Sequence, residues 1–590
     1  MRRLRILLLV AGSLLLLGTA MVVWEGSIWG FTYTNQHRFT SVAMLTGTLR
    51  MHGGISRITS DEQIFNGAGY TNWGYGVPLL EMPFHAIARR ARGFPTGFFP
   101  DRAIFFLYLA SLVPVLWLTI DRLIAGRHPD PRWIRRGACS LAATCLVLTT
   151  TIYPLMAYRF MIYEQTIAYL AIAELFAMCA YVHMLGSDRS MPVVALGLAA
   201  GFGLLIRVTG LGYLGVWGLL VLLRPRPRAR LAVFAGVILP FVGFWLYSNA
   251  VKSGSPFSTG YANSVPYFGY HFSIQRFGSQ CADTLPHMLE VWWELFRAFF
   301  FHAVAEPTEP HLKACHFTME LQDPWHSPHS ADGLFGLAVP LLLLAILARY
   351  VARYVTLGER RLAVYVPYAA LLALLASYFH AAIGFVWRYA FDFWPLMVLV
   401  LVQAVAGSLP SVRRHLFGWP AAVVFALLCG VGFRRNVLPE RILMATVRPG
   451  SEEDLGMAET FRLARWGEEP AYPSRLGCHD TFAWTHGGVV GWRDWCRVDT
   501  FTNVYLGVPR KSDGHYELRL ETEGLAEPSV RVFVNGRFYT AQRQSADGVY
   551  IADVDIDYAA LTTPTVMAAV QWTPGFTPIH GSKLLAIELT

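Results

Sequence analysis

The chain has 590 residues, 54% of them hydrophobic and only 15% charged, and a formal net charge of +9. That profile excludes an ordinary soluble multidomain protein and points to a polytopic membrane protein. The excess Lys and Arg is spread between apolar runs rather than gathered in one patch, so it reads as a topology signal and not as a nucleic-acid footprint.

In chain order, apolar runs long enough to cross about 30 Å of hydrocarbon fall near 6–24, 102–120, 137–153, 165–184, 192–206, 209–223, 231–251, 334–350, 363–380, 390–407 and 419–435. These amount to about eleven spans by the hydrophobic-window rule. The first run follows "MRRLR" and is expected to be a retained span, because no A-x-A-like cleavage site follows it. Basic residues cluster in alternate connections: the N-terminus, 121–136, 187–190, 224–230, 349–361 and 411–415. The positive-inside rule makes these cytoplasmic. Segments 25–101, 154–164, 252–333, 381–389 and the C-terminal domain are then extracytoplasmic, as expected for a bacterial cytoplasmic (inner) membrane protein. The expected organisation is a transmembrane domain over 1–436, a linker with a helix over 437–469, and an exported all-β domain over 470–590.

Within the first exported loop, 37–50 puts Phe39, Val42, Leu45 and Leu49 on one helical stripe, and 83–92 sets Phe84, Ile87 and Ala91 opposite Arg89, Arg90 and Arg92. Both are expected as short interfacial helices. Between them runs "TSDEQIFNGAGYTNWGYGVPLLEMPFH", whose glycines and aromatics let backbone and rings approach a ligand. In the third loop, 285–301 reads as another interfacial helix with Glu290, Glu294 and Arg297 in a polar line, and 252–261 as a turn. Cys281 and Cys315 lie in that loop, Cys478 and Cys496 in the C-terminal domain, and Cys139, Cys145, Cys179 and Cys429 in spans. An even number in each exported region suggests the pairs Cys281–Cys315 and Cys478–Cys496, with unpaired thiols as the alternative. Seven histidines between His271 and His329 show no metal-ligand spacing, and no metal is expected there.

From about residue 470 the pattern changes to period two. "HYELRLETE" alternates Tyr516, Leu518 and Leu520 with charged residues, Asn535–Gly536 sits between two such runs as a hairpin signal, and "VYIADVDID" and "LLAIELT" add strands. A β-sandwich of jelly-roll type follows.

Ionisable groups at or near membrane depth are functional candidates. Asp61, Glu62 and Glu81 lie in the first exported loop. Arg159, Tyr163 and Glu164 lie in the second exported turn, Arg207 ends "GLAAGFGLLIR", and Arg388, Tyr389 and Asp392 stand in "WRYAFDFWP". Arginines hold a phosphate through charge-assisted pairs, and a carboxylate outside the headgroups deprotonates an acceptor hydroxyl. Plainer readings stand beside these: a helix start for Asp61–Glu62, a solvated face for Glu81, an interfacial anchor for Glu164, and headgroup pairing for Arg207 and Arg388.

The large first exported loop, the acidic second turn, "GLAAGFGLLIRVTGL", "SGSPFSTGY" and "WRYAFDFWP", taken in that order, resemble the GT-C superfamily of membrane glycosyltransferases. The likeness is to the branch of protein O-mannosyltransferases and the aminoarabinose transferase, and it covers about residues 5–435. The C-terminal sandwich is similar to that of the actinobacterial arabinosyltransferases, where it binds carbohydrate. The resemblance implies inverting transfer of a sugar from a polyprenyl-phosphate donor to an acceptor hydroxyl of a glycan, lipid or protein. Asp61 or Glu62 would be the base and Glu164 a second carboxylate orienting the acceptor or a divalent cation, Mg²⁺ or Mn²⁺. Arg207, Arg388 and Arg159 would stand at the donor phosphate, with Asn72, Trp73, Tyr75, Glu81, Tyr163 and Tyr389 lining the substrate site. Many relatives carry an acidic residue soon after the first span, where this chain has Asn35 and Gln36. A non-catalytic polyprenyl-glycan binding or scaffold protein and a lipid-linked glycan transporter are the rival classes. The transporter is disfavoured by the missing internal repeat and by charges gathered at one face.

Overall fold

The computed structural model describes residues 2–23, 28–30, 32, 36–51, 62–65, 68–91, 98–125, 133–157, 160, 162–187, 189–224, 227–258, 361–370, 373, 391–392, 394–407, 419–432, 474–477, 501–534, 537–544, 548–561, 565–571 and 582–590. The chain divides into two compact units, one of 1–33, 100–244 and 274–446 and the other of 34–99, 245–273 and 447–590. The described elements begin with α1 (Arg2–Val23), α2 (Gln36–Leu45), β1 (Glu62–Phe65), β2 (Ala68–Thr71) and α3 (Gly76–Arg90). Then come α4 (Asp101–Ala125), α5 (Trp133–Thr151), α6 (Tyr153–Ala157), α7 (Ile162–Leu185), α8 (Met191–Ile206), α9 (Gly210–Leu222) and α10 (Pro227–Ser253). A 3-10 turn (Arg361–Val364), α11 (Trp394–Gly407) and α12 (Trp419–Gly432) complete the helices.

Nine of the expected spans coincide with α1, α4, α5, α7, α8, α9, α10, α11 and α12. The expected span at 334–350 lies outside the described residues, and the one at 363–380 is described only in its first part. Among the described residues three helices, Asp101–Ile124, Tyr163–Leu185 and Arg228–Ser253, are long and apolar enough to cross a membrane, and five more are apolar but shorter. Helix α7 packs against α4, α6, α8 and α11. Its apolar window is 89% buried, against 17% for α10. The first is therefore the central helix and the second a peripheral one, with Leu239 of α10 70% exposed, as a lipid-facing side chain would be.

One end of this helical unit is capped by the basic connections. Arg224 donates to the carbonyls of Met184 and Leu185 at 3.1 and 3.2 Å, and Arg230 to that of Ser187 at 3.2 Å. These are orphan acceptors at the C-terminus of α7, where a cation also opposes the helix dipole. Arg136 pairs with Asp121 at 2.8 Å at the same end. The arginines read from the sequence as a topology signal thus also close helix ends.

Helix α8 meets α10 through small residues. An ideal Cβ on Gly201 would lie 2.5 Å from the Phe241 ring, and one on Gly197 would lie 2.9 Å from Val237. Close approach of this kind supplies the van der Waals contact that holds helices together where no water is expelled.

The C-terminal domain contributes β3 (Arg475–Gly477), β4 (Phe501–Gly507), β5 (His515–Glu523), β6 (Ser529–Val534), β7 (Arg537–Arg543), β8 (Val549–Asp555), β9 (Thr565–Gln571) and β10 (Lys583–Leu589). They form one antiparallel sheet of order β3-β10-β5-β8-β7-β6-β9-β4. Its two halves join through β7 and β8, which share only the pairs Gln542–Ile551 and Arg543–Tyr550. As the period-two pattern requires, Tyr516, Leu518 and Leu520 of β5 are buried, together with Val532 of β6 and Val554 of β8. Val534 pairs with Arg537; the turn expected at Asn535–Gly536 lies outside the described residues.

The loop expected to be exported between the first two spans differs from its expected structure. Residues 62–71 form an antiparallel β1–β2 hairpin, with Glu62 opposite Thr71. Helix α2 stops at Leu45, so Leu49 lies outside it, and α3 starts at Gly76 and carries Pro83 in its interior. The buried face of α3 is Val77, Glu81, His85 and Ala88, while Ile87 is 59% exposed. The stripe read as apolar is indeed apolar, but the face turned inward is polar. The expected helix over 83–92 therefore starts earlier than read, at Gly76, with its first turn buried.

Gly201→Val is expected to force the Phe241 ring aside and destabilise the helical unit by about 1–3 kcal/mol. Thermal unfolding in detergent should show the loss, and Gly201→Val combined with Phe241→Ala should recover part of it.

Candidate functional site

The ends of the helices opposite the arginine caps are α4, α7, α9 and α11 at their N-termini and α8 at its C-terminus, and they hold a set of buried charges. Asp101 opens α4 and accepts the Thr32 backbone N–H at 2.9 and 3.1 Å on its two oxygens, and the Thr32 hydroxyl as well. Glu164 lies in the first turn of α7 and is fully buried. Ahead of it stands Phe160, whose φ of 44° is the left-handed region that a bulky residue rarely adopts. Such a conformation costs about 1–3 kcal/mol. It is held by burial of the ring, which packs edge-on against Phe105 with centroids 4.8 Å apart.

Arg207 is the C-cap of α8, with extended backbone. Its Nε donates to Asp392 Oδ2 at 2.9 Å, and both side chains are buried. The Tyr213 hydroxyl of α9 donates to the Asp392 carbonyl oxygen at 2.5 Å. Asp392, just ahead of α11, is thereby fixed from both its side chain and its backbone. The reversal from α8 to α9 depends on Gly210: an ideal Cβ there would lie 2.1 Å from the Gly203 carbonyl oxygen. Any side chain at 210 would push apart the turn that presents Arg207. Sequence reasoning named Asp392 but gave it no role, because nothing in the chain order shows that it meets Arg207 across 185 positions.

A second acid, Glu174, went unnoticed in the middle of α7. It is buried and accepts the Trp217 indole N–H at 2.7 Å. The signal was present as a lone carboxylate inside the apolar run "AIAELFA".

The segment between α1 and α4 forms its own polar interior. Every residue of α2 from Gln36 to Ala43 is buried, His37 and Arg38 included. Ser41 of α2 donates to the Pro78 carbonyl of α3 at 2.9 Å. His85 Nδ1 accepts the Phe99 backbone N–H at 3.2 Å, so its proton sits on Nε2, which faces Glu81 at 3.7 Å. Burial first, and the Arg38 charge second, push both His37 and His85 down to about 3. Asn72 follows β2 and is only 4% exposed. Neither its amide nitrogen nor its oxygen has a hydrogen-bond partner among the described residues. A buried amide in that condition is a ready donor and acceptor for a ligand hydroxyl. Trp73 and Tyr75 are buried beside it in sequence, and the Tyr75 hydroxyl donates to the Leu49 carbonyl at 3.4 Å.

Of the sequence candidates, Glu164, Tyr163 and Arg207 fall in the helical unit, and Asn72, Trp73, Tyr75 and Glu81 in the first loop. Glu62 lies on β1. Asp61, Arg159, Arg388, Tyr389 and the cysteines 281, 315, 478 and 496 lie outside the described residues, as does the histidine-bearing loop. No cluster of three or more His, Cys, Asp or Glu side chains capable of holding a metal ion occurs among the described residues.

No family model and no curated protein matches the sequence. Among solved structures, the chain is similar to the archaeal oligosaccharyltransferase AglB from Archaeoglobus fulgidus, in complex with an inhibitory peptide and a dolichol-phosphate. The TM-score is 0.36 at 12% identity, over 76% of this chain and 56% of that one. It is also similar to the arabinosyltransferase EmbB from Mycobacterium smegmatis, at TM-score 0.25 and 11% identity, over 98% of this chain and 64% of that one. The chain spans less than two thirds of either protein, and at these scores neither likeness transfers an activity.

Asp392→Ala leaves the Arg207 guanidinium buried without its carboxylate and is expected to destabilise the helical unit by about 3–5 kcal/mol, read as a lowered thermal midpoint in detergent. The two histidines give a pH dependence. In the unfolded chain each takes up a proton near its ordinary 6.5, whereas the folded loop resists protonation down to about 3. Between those values the unfolded state binds more protons, so stability falls as the pH falls, by up to about 1.4 kcal/mol per pH unit for each histidine. Denaturant titrations at pH 7 and pH 5 should show the loss, and the His37→Gln/His85→Gln double variant should flatten it.

Proposed function

We propose that the protein is a glycosyltransferase of GT-C type in the bacterial cytoplasmic membrane. It moves a sugar from a polyprenyl-phosphate donor to an acceptor hydroxyl of a cell-envelope glycan, lipid or protein on the extracytoplasmic side. The observation behind this reading is the buried Arg207–Asp392 pair at the helix ends opposite the cytoplasmic arginine caps. A guanidinium held by a carboxylate at the mouth of an apolar bundle suits a lipid whose tail is hydrocarbon and whose head is a phosphate.

In the proposed reaction the carboxylate of Asp61 or Glu62 takes the proton of the acceptor hydroxyl, and the hydroxyl oxygen attacks C1 of the sugar. The C1–O bond to phosphate breaks with inversion, and its electron pair leaves on the polyprenyl phosphate, whose new charge meets Arg207, Arg388 and Arg159. Glu164 orients the acceptor or a divalent cation, Mg²⁺ or Mn²⁺. Asn72, Trp73, Tyr75, Glu81, Tyr163 and Tyr389 line the sugar site.

The C-terminal sheet supports the same reading. Its strand order splits into β3-β10-β5-β8 and β7-β6-β9-β4, the connectivity of an eight-stranded jelly roll, an architecture used by lectins. We assign it to carbohydrate binding.

Asp61→Asn and Glu62→Gln, separately and together, should be assayed for glycan product in membranes. One single variant and the double variant are expected to fall by at least about a hundredfold, the usual share of general-base catalysis. Full activity in all three would remove the base assignment. Asn35 and Gln36, where many GT-C relatives are acidic, favour a second reading as a non-catalytic polyprenyl-glycan binding protein. An unchanged envelope glycan after deletion of the protein, with polyprenyl-phosphate binding retained, would establish it.

A further inference from the structure

We propose that Cys145 and Cys429 form a disulfide bond that ties α5 to α12 inside the membrane. Their Sγ atoms stand 2.8 Å apart although the residues are 284 positions apart in sequence. A disulfide needs about 2.05 Å, so closure asks the two sulfurs to approach by less than about 1 Å. Helix α5 packs against α12, so the facing of the two thiols belongs to a whole helix–helix contact. Cys139 and Cys179 are buried.

Position along the helices agrees. Cys145 lies in the last two turns of α5 and Cys429 in the last turn of α12. Both helices run away from basic connections, at 121–136 and 411–415, so Cys145 falls at the middle of its expected span and Cys429 just past the middle of its own, toward the compartment expected to be oxidising. The two side chains are half-buried, and Val424, Leu427 and Leu428 of α12 are exposed around Cys429. The site is therefore open to molecules dissolved in lipid.

The oxidant we assign is a lipid-soluble quinone. The two thiols give up two protons and two electrons as the S–S bond forms, and the quinone takes up both to become the quinol. The balance needs no other reactant.

The test is thiol counting on the full-length protein. Membranes are denatured, and free thiols are tagged with a maleimide-linked polymer before and after reduction, in the wild type, Cys145→Ser, Cys429→Ser and the double variant. Because the protein is unfolded before tagging, a weakened fold does not obscure the count. Each single variant is expected to gain one tag before reduction, because it releases the other cysteine, and the double variant is expected to match the wild type. Loss of a tag, or no change, in either single variant would overturn the bond. Gain in both singles and a gain of two in the double would also overturn it, by showing two different partners. As a second readout, reductant should lower the melting temperature of the wild type more than that of the double variant; equal shifts would contradict a bond that holds the helices together.

Discussion

A charged side chain buried among apolar helices must find its polar partners in the protein, because the hydrocarbon of a bilayer supplies none. Arg207 and Asp392 meet that condition across 185 positions of sequence, and the requirement fixes much around them. The α8–α9 reversal must be tight enough to present the arginine, hence Gly210 against the Gly203 carbonyl. The segment before α11 must stay in register with α9, hence the Tyr213 bond to the Asp392 backbone. A buried ion pair adds little net stability compared with apolar packing, but losing one partner is costly. The proposed function gives the pair a further use, in which the guanidinium meets a lipid phosphate.

The two ends of the helical unit use arginine differently. At one end Arg224 and Arg230 bind main-chain carbonyls and close helices. At the other end Arg207 binds a side-chain carboxylate. Arg224 and Arg207 are both buried, so it is the partner, a main-chain carbonyl for one and a carboxylate for the other, that separates them. Between α1 and α4, α2 and α3 likewise turn His37, Arg38, Glu81 and His85 inward and leave Ile87 outward. A helix with a polar interior face and an apolar exterior suits the boundary of a bilayer, where the outward medium is greasy.

Much of the fold was legible because membrane helices and period-two strands write themselves into composition. Strand β5 was read at its full extent, and the register around 535–536 follows from one Asn-Gly pair. Strands β3, β4 and β9 were not foreseen, since short strands lacking strong alternation look like loops. The site was less legible. Glu164 and Arg207 could be named because each is a charge at the edge of an apolar run, but the partnership of Arg207 with Asp392 is a tertiary fact that sequence order does not express. Helix α3 was misjudged for a related reason: Glu81 read either as a substrate-site residue or as a solvated face, His85 went unread, and only their neighbours in α2 and at Phe98 and Phe99 make that face an interior.

The central claim is that the Arg207 guanidinium, held by Asp392, grips the donor phosphate. The most direct measurement is polyprenyl-phosphate binding to the purified protein in nanodiscs, followed by native mass spectrometry for the wild type and Arg207→Lys. The lysine keeps the charge opposite Asp392 while losing the planar fork of donors, and thermal unfolding of the same samples reports whether the fold is retained. A charge-assisted hydrogen bond is worth about 1.5–3 kcal/mol, so the account predicts binding weakened by about tenfold or more in a folded variant. Undiminished lipid binding by folded Arg207→Lys protein would contradict it.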